Sequence, residues 1–147
     1  MSLTIRPLEA RDRAAWAQLY EAYARFYNVA QSAEMRERVF GWLLDGDHPS
    51  AGLVAERAGA LVGLAHYRPF PSPLRATTSC FLDDLFVDES ARGNGAADAL
   101  IEAVQQEARR NGWAVLRWIT AEDNYRARGL YDRLAERTRW VTYDLKP

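Results

Sequence analysis

The residues best suited to bind an anion form a glycine-rich turn, Arg-Gly-Asn-Gly-Ala-Ala at positions 92–97. The turn follows an apolar stretch, residues 81–87, that predicts a buried strand, and it precedes residues 98–111, whose apolar spacing predicts a helix. The first N–H groups of a helix have no partner within it and carry a partial positive charge. Two glycines also remove the Cβ atoms that would hold an anion away. The turn therefore predicts a phosphate or pyrophosphate site, although a Gly-Asn-Gly turn between a strand and a helix can also be an ordinary connecting loop.

Two common nucleotide-binding motifs fit this turn poorly. A dinucleotide fingerprint, Gly-x-Gly-x-x-Gly, needs a glycine where Asp98 stands, and a carboxylate there would repel a dinucleotide. A phosphate loop of the Gly-Lys-Ser/Thr type needs a lysine, whereas the sole lysine of the chain is Lys146. Both nucleotide-binding hypotheses are weakened.

The turn resembles the signature of the Gcn5-related N-acetyltransferase (GNAT) family, Arg/Gln-x-x-Gly-x-Gly/Ala after a strand that ends in valine, here Val87. A second element of that family is an asparagine with an alanine three residues later and a tyrosine seven residues later. It stands here as Asn124, Ala127 and Tyr131. The two motifs occur in the family's order, and the resemblance covers nearly the whole chain. It implies an acetyl-CoA-dependent N-acetyltransferase similar to the branch that acetylates polyamines, diamines and histone-type basic tails.

The resemblance also implies which residues bind acetyl-CoA. The turn and the start of the helix would hold the pyrophosphate, the end of the preceding strand would lie along the acetyl-pantetheine arm, and Asn124 would bond that arm. The expected cofactor-binding residues are Leu85, Phe86, Val87, Arg92, Gly93, Asn94, Gly95, Ala96, Ala97, Asp98, Asn124 and Ala127. Asn124 would look the same if it only capped a helix.

Tyr131 is the expected general acid for the leaving thiolate. A tyrosine with pKa near 10 lies only about 1.5 above a thiol, so the proton moves uphill by roughly 2 kcal/mol. The family resemblance gives a tyrosine at this place the same role. The helical spacing of Ala127, Leu130 and Tyr131 also fits a tyrosine that only packs in the core.

Acetyl transfer to an amine also requires removal of a proton, because an ammonium with pKa near 10.4 is neutral in only about one part in a few thousand at pH 7. Asp83 is the candidate base, since a carboxylate within a strand beside the cofactor is costly unless a bound cation pairs with it. The alternation of a strand turns Asp83 and Asp84 to opposite faces, so one of them is expected to line the acceptor pocket. Resemblance to the polyamine branch assigns substrate contact to Asp83. Pairing with Arg68 or Arg117 is the structural alternative for both acids.

Aromatic residues are concentrated at positions 20–27 of the first predicted helix. Tyr23 and Tyr27 are the expected substrate contacts together with Asp83 and Asp84, because aromatic faces beside a carboxylate favour a cationic amine. The predicted acceptor is a small primary amine such as a polyamine, a diamine or a related amino acid. The alternatives are an acetyl-CoA sensor or non-catalytic module, and an acetyltransferase that acts on a protein or peptide amine.

Length and composition predict one domain over residues 1–147 and exclude several other classes. A net charge of -1, from 19 basic and 20 acidic residues, argues against a surface that binds nucleic acid. No apolar run approaches the ~18 residues of a membrane span, and residues 1–13 are too polar for a signal peptide, so a cytoplasmic protein without membrane contact is expected. A lone Cys80 excludes an internal disulfide, and two isolated histidines do not suggest a metal site. The resemblance adds a possible homodimer, for which Trp140 and Tyr143 offer aromatic surface.

Periodicity and turn residues predict the remaining elements. Further helices are expected at residues 10–27, 33–45 and 124–134. Further strands are expected at residues 3–6, 52–56, 61–68, 114–120 and 139–145, with a proline-marked loop at 69–73. The order βααβββαβαβ is that of an α/β fold, a three-layer sandwich around a mixed sheet. By resemblance, strands 81–87 and 114–120 are parallel and splay apart to admit the cofactor.

Overall fold

The computed structural model, which describes residues 2–147, contains a mixed sheet with helices on both faces. Its strands are β1 (Leu3–Pro7), β2 (Ala51–Arg57), β3 (Ala60–Ser72), β4 (Thr77–Val87) and β5 (Leu116–Arg117). Its helices are α1 (Arg13–Phe26), α2 (Ala33–Leu44), α3 (Ala96–Arg110) and α4 (Tyr125–Leu134). Within residues 2–147, each helix falls short of the length and apolarity that crossing a bilayer requires.

The strands lie in the sheet in chain order, β1-β2-β3-β4-β5. The first three pairings are antiparallel, and β4 pairs with β5 in parallel. A parallel pair needs a crossover connection, which α3 supplies here. The predicted α/β sandwich with a mixed sheet and one parallel pair is confirmed.

Two apolar cores lie on the two faces of the sheet. On the first face, α1 and α2 bury Trp16 and Phe40, each 1% exposed, against the sheet. On the second face, α3 buries Leu100 and Val104, and the fully buried Cys80 of β4 belongs to the same core. Alternating residues of β2 supply the two cores, as expected for a strand that is covered on both sides.

A buried ion pair joins the first strand to the turn before α1. The Arg6 guanidinium donates to both carboxylate oxygens of Asp12, at 2.8 and 2.9 Å, and to Glu56 of β2 at 3.1 Å. Asp12 is 5% exposed. The hydrogen bonds from Arg6 outweigh the effect of burial and hold the pKa of the Asp12 carboxyl below its usual value. This pair fixes the start of α1, which carries the aromatic residues of the site.

A β-bulge at Asp83 changes the face to which the following β4 side chains point. His66 lies opposite Asp84, and the next residue of β3 lies opposite Leu82, so Asp83 is an extra residue on β4. One extra residue shifts the alternation of a strand by one. Accordingly Leu82 packs on the α3 side, whereas Phe86, four residues later, packs on the α1 side. The bulge therefore turns Asp84 toward α1.

The predicted loop at residues 69–73 is wrong over residues 69–72, because β3 continues to Ser72. Prolines cannot donate to a sheet, so a central strand usually excludes them. The pairing of β2 with β3 ends at Tyr67, whereas β3 stays paired with β4 through Pro69 and Pro71. Beyond Tyr67 one side of β3 is an edge, and the prolines are tolerated there.

Two predicted strands near the end of the chain also differ from the structure. The strand expected at 114–120 is reduced to β5, two residues that pair with Cys80 and Phe81. The strand expected at 139–145 is wrong: these residues are described, are outside the sheet and are all exposed. Their alternating apolar pattern is that of a strand, but no strand of the same chain lies beside them within residues 2–147.

Candidate active site

A cavity of about 560 Å³ opens between the end of β4, the N-terminus of α3 and the facing side of α4. The end of α1 closes one side of it. Its lining residues are Tyr23, Phe26, Tyr27, Leu85, Phe86, Val87, Ala91, Arg92, Gly93, Gly95, Ala96, Ala97, Asp98, Asn124, Arg126, Ala127, Gly129, Leu130, Tyr131 and Arg133. Two motifs that are about thirty residues apart in the sequence thus meet in one cavity.

The glycine-rich turn forms the floor of the cavity at the N-terminus of α3. Gly93 and Gly95 have φ of +84° and +82°, a left-handed conformation that other residues adopt only with strain. A Cβ at either position would face open space within the described residues 2–147, so the glycines keep the cradle open. Gly95 is the N-cap of α3, and the N–H groups of the next residues point out of the helix without an intrahelical acceptor. Arg92 Nε donates to the Val87 carbonyl at 3.0 Å, which ties the turn to β4.

The parallel strands separate where the cavity begins. Pairing of β4 with β5 ends at Phe81 and Arg117. Among the described residues, β4 has no neighbouring strand on that side beyond this point, and Leu85, Phe86 and Val87 line the cavity. A strand edge exposed inside a cleft presents backbone N–H and C=O groups to a bound molecule.

The opposite wall is α4, which carries the second sequence motif. Asn124 is its N-cap, and its side-chain oxygen accepts a hydrogen bond from Ala127 N at 3.4 Å. Tyr131, two turns later, lines the cavity and packs against Trp118 with ring centroids 5.3 Å apart. Burial, with a smaller contribution from nearby Tyr27, raises the pKa of Tyr131 to about 12. Tyr131 therefore stays protonated over the whole neutral range.

A buried chain of hydrogen bonds holds Asp84 behind the tyrosines of α1. Trp16 Nε1 donates to His66 Nε2 at 2.9 Å, so the ring proton of His66 sits on Nδ1 and is donated to Asp84 Oδ2 at 2.8 Å. The Tyr20 hydroxyl donates to the same oxygen at 2.9 Å. Burial alone would raise the pKa of the Asp84 carboxyl, but the hydrogen bonds from His66 and the tyrosines outweigh it and lower that pKa. Asp84 is thus a preorganised carboxylate whose side chain remains 20% exposed.

Asp83 lies outside this chain of hydrogen bonds. Its carboxylate pairs with Arg68 Nε at 3.0 Å, and the two side chains are 34% and 39% exposed. Burial raises the pKa of Asp83 above its usual value although Arg68 opposes this. Neither acid is among the residues that line the cavity, but Asp84 directly precedes Leu85, which does line it.

Aromatic rings close the α1 end of the cavity. Tyr23 and Tyr27 are in edge contact at 5.1 Å, and Tyr23 stacks on Tyr20 at 6.0 Å, which in turn binds Asp84. Burial, and then the nearby carboxylate of Asp84, raise the pKa of Tyr23. Tyr23 and Tyr27 line the cavity, whereas Tyr20 and Asp84 lie behind them, outside its lining.

Sequence reasoning placed most cavity residues but missed several. Of the expected cofactor-binding residues, all except Asn94 line the cavity. Arg126 and Arg133 also line the cavity. Their positions near Asn124 and Tyr131 on the predicted helix could have indicated this. The sequence predicts His66 only as a strand residue. Its hydrogen-bond partners Trp16 and Asp84 are 50 and 18 residues away, so no local pattern indicates its role.

Comparison with known proteins gives a consistent result. A family model described as the acetyltransferase (GNAT) family matches residues 16–135. The uncharacterized N-acetyltransferase YhfO of Bacillus subtilis is 33% identical over 145 residues, which are 97% of this chain and 97% of that protein. The D-amino-acid N-acetyltransferase HPA3 of Saccharomyces cerevisiae is 29% identical over 143 residues, covering 96% of this chain and 89% of that protein. Among solved structures, a ribosomal-protein-alanine N-acetyltransferase from Brucella melitensis aligns with a TM-score of 0.83 and 25% identity, covering 99% of each chain.

Proposed function

Because the chain belongs to the acetyltransferase (GNAT) family and is therefore an acetyl-CoA-dependent N-acetyltransferase, we propose that its acceptor is a small cationic molecule with a primary amine. A polyamine, a diamine or an amino-acid-like amine is the acceptor class. The acetyl group passes directly from donor to amine while both are bound in a ternary complex.

The observation that carries this proposal is the position of Asp84. Its carboxylate is fixed by His66 and Tyr20, carries a negative charge at neutral pH because its pKa is lowered, and lies behind Tyr23 at the aromatic end of the cavity. A partly buried anion beside aromatic rings attracts an ammonium group. Asp84 therefore orients the acceptor.

The rest of the cavity fits acetyl-CoA, which supplies the activated acetyl group. The orphan N–H groups at the start of α3, together with the open space over Gly93 and Gly95, suit a pyrophosphate. Arg126 and Arg133 add positive charge to the same cavity. The exposed edge of β4 at residues 85–87 suits an amide-bearing chain, because it can pair with it as a strand would.

Two proton movements remain for the residues of the chain. Neutralising an ammonium with pKa near 10.4 at pH 7 costs roughly 4.6 kcal/mol. A carboxylate with lowered pKa is a weak base, so Asp84 binds the acceptor's charge. The ammonium releases its proton to solvent water before the neutral amine attacks the thioester carbon. Asp83 can take a proton only after it releases Arg68, and the pair of aspartates is tested separately below.

Tyr131 supplies the proton to the leaving thiol sulfur. Its pKa of about 12 makes this step costlier than for an ordinary tyrosine. Against a thiol with pKa near 8.5 the difference amounts to about 5 kcal/mol.

The acceptor class is tested by acetyl-CoA consumption with a panel of amines. The panel contains polyamines, diamines, D- and L-amino acids, an aminoglycoside and a peptide with an N-terminal alanine. The sharpest pair is 1,4-diaminobutane against butylamine, which differ by one cationic group. We expect kcat/KM to be at least about 30-fold higher for the diamine, the equivalent of roughly 2 kcal/mol from a second charge near a carboxylate. Equal rates for the two amines, or turnover only with the peptide, would contradict the proposal.

Tyr131→Phe separates an enzyme from a protein that only senses acetyl-CoA. Loss of a general acid lowers kcat by about 10²–10⁴-fold. The affinity for acetyl-CoA, measured by calorimetry, should stay within about threefold, since a phenylalanine keeps the ring contact with Trp118. Unchanged turnover in this variant would remove Tyr131 from the mechanism.

A further inference from the structure

His66 is a buried titratable side chain that the proposed mechanism does not use. It lies on β3 and is 4% exposed, and its ring Nδ1 is 2.8 Å from Asp84 Oδ2. Histidine side chains ordinarily change their charge between pH 5 and 8. A cationic ring at this distance would cancel the charge of the Asp84 carboxylate, and an acceptor would then meet a neutral pair. The charge state of His66 therefore decides whether Asp84 can attract an ammonium group.

Trp16 occupies the nitrogen of His66 that would have to gain a proton. Its Nε1–H lies 2.9 Å from His66 Nε2. An indole nitrogen only donates, so the direction of this hydrogen bond is fixed and Nε2 is the acceptor. A second proton on Nε2 would set two N–H groups against each other. Because Trp16 is 1% exposed, its displaced N–H would be left in the core without an acceptor, which is costly.

The indole of Trp16 is held in its orientation by close packing. Its ring centroid lies 5.1 Å from that of Tyr20, 5.2 Å from that of Phe40 and 5.7 Å from that of His66. Side chains in such a core have little room to change rotamer. The N–H of Trp16 therefore stays aimed at His66.

The other groups around His66 leave the charge of the site to His66 and Asp84. The uncharged neighbours are Tyr20 of α1, Gly52 of β2 and Leu43 of α2. Burial, and then the charge of Asp84, raise the pKa of Tyr20, so its phenol is neutral at working pH. The next acid on β4, Asp83, is paired with Arg68.

We propose that Trp16 is a positioning residue for amine recognition, because its N–H holds His66 neutral and so preserves the negative charge of the Asp84 site. The neutral ring donates to Asp84 without cancelling its charge, so the pair carries one net negative charge. The preference for a second cationic group should then persist as the pH falls through the range in which an ordinary histidine gains a proton. The cationic acceptor in this inference rests on the proposed function, whereas the state of the His66 ring does not.

The state of the His66 ring is measured by NMR without any substrate. Long-range ¹H–¹⁵N correlation spectra show which ring nitrogens carry protons. The signals of His66 are identified by their loss in His66→Asn, since His48 is the only other histidine of the chain. At pH 6 we expect the wild-type ring to carry a proton on Nδ1 and none on Nε2. A ring that is protonated on both nitrogens at pH 6, or on Nε2 alone, overturns the proposal.

Trp16→Phe removes the donor and keeps an aromatic ring against Tyr20 and Phe40. The freed Nε2 can take up a proton, so both ring nitrogens should be protonated at pH 6. The kinetic readout is selectivity, which is kcat/KM for 1,4-diaminobutane divided by kcat/KM for butylamine. Comparing variant and wild type at the same pH cancels the ionisation of the amines themselves. We expect the selectivity of the variant to be about tenfold below that of the wild type at pH 6 and within about threefold of it at pH 9.

The matched control is the double variant Trp16→Phe/His66→Asn. Asparagine keeps an N–H near the position of Nδ1, can donate it to Asp84, and does not titrate. The selectivity of the double variant relative to the wild type should therefore be the same at pH 6 and pH 9. If the smaller ring at position 16 only loosened the core, Trp16→Phe would lose selectivity equally at both pH values, and that result would refute the positioning role.

The two readouts separate the possible failures. A wild type that does not prefer the diamine at either pH would show that the proposed acceptor is wrong, and with it the role in amine recognition, while its spectra still report whether Trp16 fixes the ring. If Trp16→Phe does not fold, the wild-type spectra alone decide. A His66 ring that becomes a cation in the wild type between pH 9 and pH 6 would overturn the assignment of Trp16.

Discussion

Replacing Asp84 with asparagine tests the central assignment of the site. The substitution keeps the size of the side chain and removes its charge. Asp84 Oδ2 accepts hydrogen bonds from His66 Nδ1 and the Tyr20 hydroxyl at 2.8 and 2.9 Å, and an amide oxygen can still accept them. The main loss is therefore the negative charge that faces the aromatic end of the cavity.

The magnitude depends on how closely the acceptor's ammonium approaches the carboxylate, and we take ion-pair contact as the limit. Two unit charges about 4 Å apart interact by roughly 4 kcal/mol at the effective dielectric constant of a protein surface. Since the Asp84 side chain is 20% exposed, part of this is screened, and about 2–3 kcal/mol remains for an ammonium held nearby. We expect kcat/KM for a diamine to fall by about 30- to 200-fold, with little change in the KM for acetyl-CoA.

The assay compares Asp84→Asn with Asp83→Asn, the neighbouring acid on the bulge. Asp83 pairs with Arg68, and the two side chains are 34% and 39% exposed. An ion pair this exposed contributes at most about 1 kcal/mol. Asp83→Asn should therefore change kcat/KM by less than about fivefold. Weaker hydrogen bonds will also cost Asp84→Asn about 1–3 kcal/mol of stability, so rates are measured at 25 °C, below a melting temperature that is determined for each variant.

The refuting result is specific. If Asp83→Asn loses as much activity as Asp84→Asn or more, Asp83 is the catalytic base and the cation-binding role of Asp84 is wrong. If Asp84→Asn retains wild-type kcat/KM for every cationic acceptor, its hydrogen-bonded chain only stabilises the fold.

Three further predictions concern two glycines and the Arg6–Asp12 ion pair. Gly95→Ala forces a left-handed alanine, which costs about 1–2 kcal/mol, and should weaken acetyl-CoA binding measured by calorimetry. Gly129→Ala, in open space within α4, should instead raise the free energy of unfolding by about 1 kcal/mol, so a less stable Gly129→Ala would contradict the reasoning. Asp12→Asn should cost about 3 kcal/mol at pH 7 in urea unfolding, because it leaves Arg6, whose side chain is 13% exposed, with one acceptor fewer. Since the folded-state pKa of Asp12 is lowered, its contribution to the free energy of unfolding is present above the unfolded-state pKa near 4 and disappears as the pH falls through the lower folded-state pKa. If the stability difference between the wild type and Asp12→Asn stayed constant down to pH 2, this account of the ion pair would be wrong.

Local sequence signals were sufficient for much of the fold and for most of the cavity. Gly93 and Gly95 occupy positive-φ positions that few other residues tolerate, so the turn was visible in the sequence itself. The spacing from Asn124 to Tyr131 places both on one side of a helix, and the structure brings that side to the turn. Such motifs can be predicted from the sequence because the conformation of each depends on residues that are close to it in the chain.

Features that depend on pairing between distant segments were not predictable in this way. The choice between Asp83 and Asp84 follows from the register of β3 with β4, which sets His66 opposite Asp84 and leaves Asp83 as the bulge. No local pattern marks His66 as the partner of Trp16, 50 residues earlier. Residues 139–145 have the pattern of a strand, but a local pattern does not supply the neighbouring strand that pairing requires, and these residues lie outside the sheet.

The burial of Cys80 has a practical consequence for enzymology. The side chain is fully buried, and burial raises the pKa of its thiol to about 11. At pH 8 only about one such thiol in a thousand is ionised. A chromogenic disulfide reagent therefore reacts with the coenzyme A released in each turnover and leaves the protein intact. Because the chain has no other cysteine, the colour can be recorded continuously, without quenching and without a correction for the enzyme's own sulfur.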